Sequence, residues 1–160
     1  MRRIAALAVV ALGMGVAAWL LWPREPADDE QQIRAVIAKM AESAEKKDLS
    51  GILDHVSDGY RGEGGDKNGL KAYLLGYLLR SQIVTALPTE IDFSEPVQGG
   101  RAKVSLVVLL ARIPAKKVDD IRPDQLIGTH HLEAELAKEE GARWRVVAAV
   151  RSDAGPGDLF

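Results

Sequence analysis

The chain has three histidines and no cysteine, which narrows the chemistry at once. Without a thiol it has no Cys nucleophile, no thiolate metal site and no disulfide framework. Among the histidines, strand periodicity places only His130 on an apolar face. There His130, Leu132, Ala134 and Leu136 alternate with His131, Glu133 and Glu135. A neutral imidazole in that setting works as a general base when a carboxylate partners it. Glu90, Asp92, Glu133 and Glu135 all fall on the opposite strand faces, so a hydrogen-bonded core or rim role is expected. His130 is a weak catalytic candidate. With it, Tyr60, Tyr73, Tyr77 and Trp144 are the candidate pocket-lining residues, although aromatics at helical and strand spacing also build cores.

The densest polar cluster is His55, Asp58, Tyr60, Arg61, Glu63 and Asp66. A metal site needs ligands that converge on one point. These residues straddle a helix end and a Gly-rich turn, and capping and turn roles account for Asp58 and Asp66. Gly62–Gly65 lacks the Lys and Ser/Thr of a phosphate loop. No residue pattern asks for a metal or another cofactor. After Arg24 the chain carries 23 acidic against 18 basic residues, a mildly acidic balance with no basic stripe, which argues against nucleic acid as a partner.

The segment that would set the cellular address comes first. Ile4–Trp22 runs for nineteen residues without a charge, behind Arg2 and Arg3. A spanning helix needs about 20 apolar residues, whereas the apolar core of a signal peptide has roughly 7–15 and ends at small residues. Here the run ends in the bulky Trp19-Leu20-Leu21-Trp22-Pro23, with tryptophans suited to the membrane interface. The expectation is an uncleaved N-in anchor over residues 1–22 and a linker over 23–27. A domain over 28–152 would then face the periplasm from the bacterial inner membrane, with a loose tail over 153–160. The alternative is secretion after signal cleavage.

The domain begins with helical periodicity: Ile33, Val36, Ile37, Met40, Ala41 and Ala44 share one face behind Asp28. A short second helix carries Ile52, Leu53 and Val56, with Ser50 as its expected N-cap. The stretch from Gly59 to Gly65 holds a short strand near Tyr60 and then a turn. Asp66 caps a third helix with Leu70, Tyr73, Leu74, Tyr77 and Leu78 on one face. Leu75 and Leu79 widen that face and suggest cover on a second side.

From Ile83 the period becomes two, with Ile83, Thr85, Leu87, Thr89, Ile91 and Phe93 on one face and Pro88 among the others. The central strand Arg101–Arg112 follows a Gly99-Gly100 turn. That turn predicts the pairs Phe93–Leu106, Ile91–Val108 and Thr89–Leu110. A charged loop over 114–125 leads to Ile127–Lys138, and Arg143–Arg151 closes the chain with Trp144, Val146, Ala148 and Val150 on one face. A turn at Glu139-Glu140-Gly141 predicts Leu136–Trp144, Ala134–Val146 and Leu132–Ala148, and sets His130 opposite Val150. Both hairpins bring apolar rows together, as a correct register must. The outer sheet face also carries Val107, Leu109, Val147 and Ala149, among which Val107, Leu109 and Val147 are interface candidates for a homodimer or an envelope partner.

Three amphipathic helices and one apolar sheet face imply an α+β two-layer domain. The order helix, helix, short strand, helix, four long strands resembles the NTF2-like (cystatin-like, SnoaL-like) superfamily. The resemblance is carried by HVSDGYRGEGGDKNGLKAYL and by the closing WRVVAAV. It is similar in particular to membrane-anchored NTF2-like proteins of Gram-negative bacteria. The resemblance implies a cone of three helices packed on a curved antiparallel sheet, preceded here by a transmembrane helix. In enzymes of that superfamily, acids, His or Tyr project into the cone. This chain lacks the inward strand carboxylate of the ketosteroid isomerases. A non-catalytic binding or assembly module is therefore expected, with a small-molecule pocket or an isomerase or hydrolase working through His130 as the alternative.

Overall fold

The computed structural model describes residues 28–139 and 141–153. The apolar run Ile4–Trp22, the linker and the tail after Asp153 lie outside the described residues. Among the described residues, no helix is long and apolar enough to cross a membrane.

Helix α1 spans Asp29–Glu45, α2 Leu49–Leu53 and α3 Lys67–Arg80. Each starts on an aspartate whose side chain accepts from a backbone N–H of the first turn: Asp28 from Glu30, Asp48 from Gly51, Asp66 from Gly69. Such a cap satisfies a donor that has no intrahelical partner. Asp48, rather than Ser50, therefore caps α2. Helix α3 buries Leu78 but leaves Leu75 46% and Leu79 74% exposed. Among the described residues, nothing covers the expected second side.

Strands β1 (Thr85–Phe93), β2 (Arg101–Ala111), β3 (Leu126–Glu139) and β4 (Arg143–Asp153) form one antiparallel sheet in sequence order. Two 3-10 turns, Val118–Asp120 and Pro123–Gln125, occupy the charged loop before β3. The expected strand near Tyr60 is instead an irregular segment bonded along the free edge of β4. Its N–H groups at Ser57, Arg61 and Glu63 donate to the carbonyls of Val146, Val147 and Ala149. The other edge, β1, is blunted by side chains of α1: Glu45 accepts from the Ala86 N–H at 2.9 Å, and Arg34 donates to the Ile91 carbonyl at 3.1 Å. Pro88 removes another donor from that edge. An edge closed in this way resists pairing with other chains.

Both hairpin registers differ from expectation, for local reasons. The Gly99-Gly100 turn forms, with φ of 59° and 70° and Arg101 N–H bonded to the Gln98 carbonyl. Glu95-Pro96 then bulges out of β1, so Phe93 pairs with Val104 rather than Leu106. A second irregularity between Thr89 and Asp92, where Glu90 has φ 47°, shifts the pairing again. A one-residue shift exchanges the faces of a strand. Beyond it Ala86 and Pro88 pair with Leu110 and Val108 on the helix side, while Thr85, Leu87 and Thr89 pair with Ala111, Leu109 and Val107 on the outer side. In the last hairpin Leu136 pairs with Val146 and Lys138 with Trp144. A bulge in β4 after Val146 then turns Ala149 and Arg151 inward, opposite Ala134 and Leu132, and leaves Val150 62% exposed. His130 pairs with Val108 and Asp153, and its expected neighbour Val150 lies elsewhere.

The main core joins Ile33 and Ile37 of α1 to Val56, Tyr60, Val104, Leu106, Leu136, Trp144 and Val146. On the outer face Val107 and Leu109 are themselves buried, at 7% and 3% exposure. Val147 is half-buried, and its carbonyl accepts from Arg61 N–H.

Candidate functional site

Between the helices and the inner sheet face lies a cavity of about 270 Å³. Periodicity explains its lining. Helix α1 contributes Ile37, Met40, Ala41 and Ala44 from its apolar stripe, and α3 contributes Leu70, Tyr73, Leu74 and Tyr77. Inward strand positions add Leu106, Val108, His130, Leu132 and Ala134. Small residues at Ala41, Ala44, Ala86, Ala134 and Ala149 leave the space that larger ones would fill.

Polar groups are few and converge. The Tyr77 hydroxyl lies 3.2 Å from His130 Nε2, with the rings edge to face. Tyr73 stacks beside Tyr77 at 6.3 Å between ring centroids. The Arg151 guanidinium carbon sits 5.7 Å from the centre of the Tyr73 ring, and Arg151 Nε is 3.7 Å from a Glu63 carboxylate oxygen. His130, Tyr77, Tyr73, Arg151 and Glu63 thus form a connected series along one side of an otherwise apolar space, and all five line it. Burial pushes the Tyr77 hydroxyl above its ordinary pKa, so at neutral pH it keeps its proton. A protonated phenol beside Nε2 ties that ring nitrogen into a hydrogen bond in which the imidazole tautomer sets which of the two donates.

Of the residues expected to line a pocket, Tyr60, Tyr73, Tyr77 and His130 do so. Tyr60 contributes only its ring: it is fully buried, and its hydroxyl is 3.3 Å from both the Glu63 and the Ala149 carbonyls. Trp144 does not line the cavity. It packs in the core at the hairpin end, where its indole N–H is 3.3 Å from Asp29 and Lys138 lies over its ring. Arg151 and Glu63 are site residues that the strand pattern hides. The β4 bulge brings Arg151 inward, and Glu63 reaches the cavity from the Gly-rich turn. An acidic residue therefore does line the cavity, supplied by a turn instead of a strand.

The rest of the polar cluster serves the fold. Lys67 bonds the Val56 carbonyl and Asp58, each at 2.8 Å, and Ser57 bonds Glu139. Burial lowers the His55 pKa. Among the described residues no group of His, Asp and Glu side chains could hold a metal ion. On the outer face His131 bonds the Ser105 hydroxyl at 2.6 Å, away from the cavity.

No family model matches the chain, and no curated protein matches it in sequence. Solved structures do match its fold. A protein of unknown function from Mycobacterium tuberculosis aligns with a TM-score of 0.61 at 15% identity, over 81% of this chain and 75% of that one. A cystatin-like-fold protein of unknown function from Nostoc punctiforme gives 0.62 at 14% identity, over 84% and 98%. An NTF2-like protein with a cystatin-like fold from Novosphingobium aromaticivorans gives 0.61 at 14% identity, over 80% and 83%. Three helices packed on a four-stranded antiparallel sheet, with a cavity between the layers, make this an NTF2-like, cystatin-like fold.

Proposed function

We propose that the domain is a non-catalytic binding module that holds a small, mainly apolar molecule in its cone. The cavity of about 270 Å³ between helices and sheet, lined by aliphatic side chains and three tyrosines, carries this reading. Ligand sites are concave and mostly apolar, with a few convergent polar groups that orient the guest. The size is near the lower end of the range for such sites, about 300–1,000 Å³, which favours a compact guest. Display from the inner membrane through Ile4–Trp22, facing the periplasm, belongs to the same proposal. An envelope partner or a second copy on the outer sheet face through Val147 is compatible with it, but the burial of Val107 and Leu109 in the single chain makes that face less available.

One contact favours a second reading, in which His130 acts as the base of an isomerase or hydrolase: the Tyr77–His130 pair lies inside the apolar space. The binding reading is preferred because the space is lined almost wholly by apolar side chains.

The test is a cavity-filling variant. Ala134→Leu adds volume at the sheet centre, where Ala134 lines the cavity. It should leave the melting temperature of the chain unchanged or higher and abolish binding of an apolar probe such as decanol. Undiminished binding would place the probe elsewhere and refute the proposal.

A further inference from the structure

The polar side of the cavity is richer in donors than in acceptors. The Arg151 guanidinium carries five N–H donors and no acceptor, while the Tyr77 hydroxyl and His130 Nε2 engage each other. Among the described residues that line the cavity, one carboxylate stands against the guanidinium, Glu63. Its approach to Arg151 Nε is 3.7 Å, outside the range of a hydrogen bond. Both side chains are about one-third exposed (29% and 33%), where such a pair contributes little. The guanidinium is nonetheless drawn to one place, because it lies over the Tyr73 ring within reach of a cation–π attraction. It is pre-positioned, and its planar fork remains free of a bidentate carboxylate.

We propose that the guest is an amphiphile with a single anionic head, a medium-chain carboxylate in chemical class. Its head would lie against Arg151, and its tail would run into the space beside Met40, Leu106 and Leu132. Arg is suited to planar, bidentate recognition of a carboxylate. A methylene is about as large as a water molecule, whose share of liquid volume is about 30 Å³, so the cavity suits a tail of roughly eight to ten carbons. Glu63 then acts as the competitor that the incoming head displaces. Among the described residues a cationic head would have only Glu63 to meet it, and it would sit beside Arg151. An uncharged head could accept a hydrogen bond from the guanidinium but would gain neither the charge pairing nor the bidentate fit.

The inference rests on the binding reading above, and the test separates the two. The full-length chain in lipid nanodiscs is titrated with decanoate, decanol and decyltrimethylammonium. Binding is followed at the His130 ring resonances, with free ligand calibrated against empty discs. Decanoate should bind roughly tenfold more tightly than decanol, the factor that corresponds to about one charge-assisted hydrogen bond. Arg151→Gln should remove that preference and Arg151→Lys retain part of it. Glu63→Gln should strengthen decanoate binding several-fold. Equal affinities for decanoate and decanol, an unchanged ratio in Arg151→Gln, or a preference for the cation would overturn the anionic head while leaving the apolar site standing. Failure of all three to bind would overturn both. If Arg151→Gln does not fold, the wild-type ratio and Glu63→Gln still decide.

Discussion

His130 and Tyr77 show how one contact shapes a residue's role. A protonated phenol 3.2 Å from Nε2 makes His130 part of the wall, and its removal leaves a hydroxyl facing apolar side chains. His130→Ala should therefore lower stability by about 1–3 kcal/mol, the usual cost of stranding a half-buried polar partner, which urea unfolding would measure. An unchanged midpoint with loss of a measured turnover would instead mark His130 as catalytic. Asp29 gives a second prediction with a definite sign. Its hydrogen bond from Lys138, aided by the Trp144 N–H and the Lys138 charge, holds its carboxyl below the ordinary 3.8. A depressed carboxylate stabilises the fold above its unfolded pKa, and that contribution disappears as pH falls through the lower folded value. Asp29→Asn should thus melt earlier than the wild type at pH 7, with the gap closing as pH drops below 3.8. A gap independent of pH would point to packing as the cause.

At the scale of elements, the irregular segment along β4 is as important as the regular strands. A Cβ on Gly62 would lie 2.6 Å from the Ala149 carbonyl oxygen and 2.8 Å from its nitrogen, closer than real contacts allow. Gly62→Ala should force the segment off β4 at a cost of about 2 kcal/mol, in the range of overpacked sites, and should shift Glu63 away from Arg151. Thermal melts with the decanoate titration would check both effects. Helical periodicity and capping residues made α1 and α3 legible in the sequence, and the alternating runs revealed all four strands and both hairpins. The bulges were not legible. Glu90 at positive φ, the Glu95-Pro96 excursion and the bulge after Val146 are backbone features that no apolar pattern records, because each hairpin still brought hydrophobic rows together in the wrong register. That is why periodicity puts Thr89 and Val150 inside and hides Arg151. Trp144 differs for another reason: it faces the helices as expected, but at the filled end of the layer. Leu75 and Leu79 show the limit of reading burial from composition, since both are exposed.

The whole molecule combines an apolar amino-terminal run with a domain that is hollow between its layers. If Ile4–Trp22 is an uncleaved anchor, protein recovered from membranes should retain it, and an amino terminus mapped by mass spectrometry between Ala18 and Asp28 would refute the anchor. The central claim concerns the hollow itself. It is tested most directly by intermolecular NOEs between a bound apolar probe, decanol, and methyl groups of the full-length chain. The account predicts NOEs from the probe's tail to Met40, Leu106 and Leu132, all of which line the cavity. NOEs confined to the exposed Leu75 and Leu79 on the outside of α3 would contradict it.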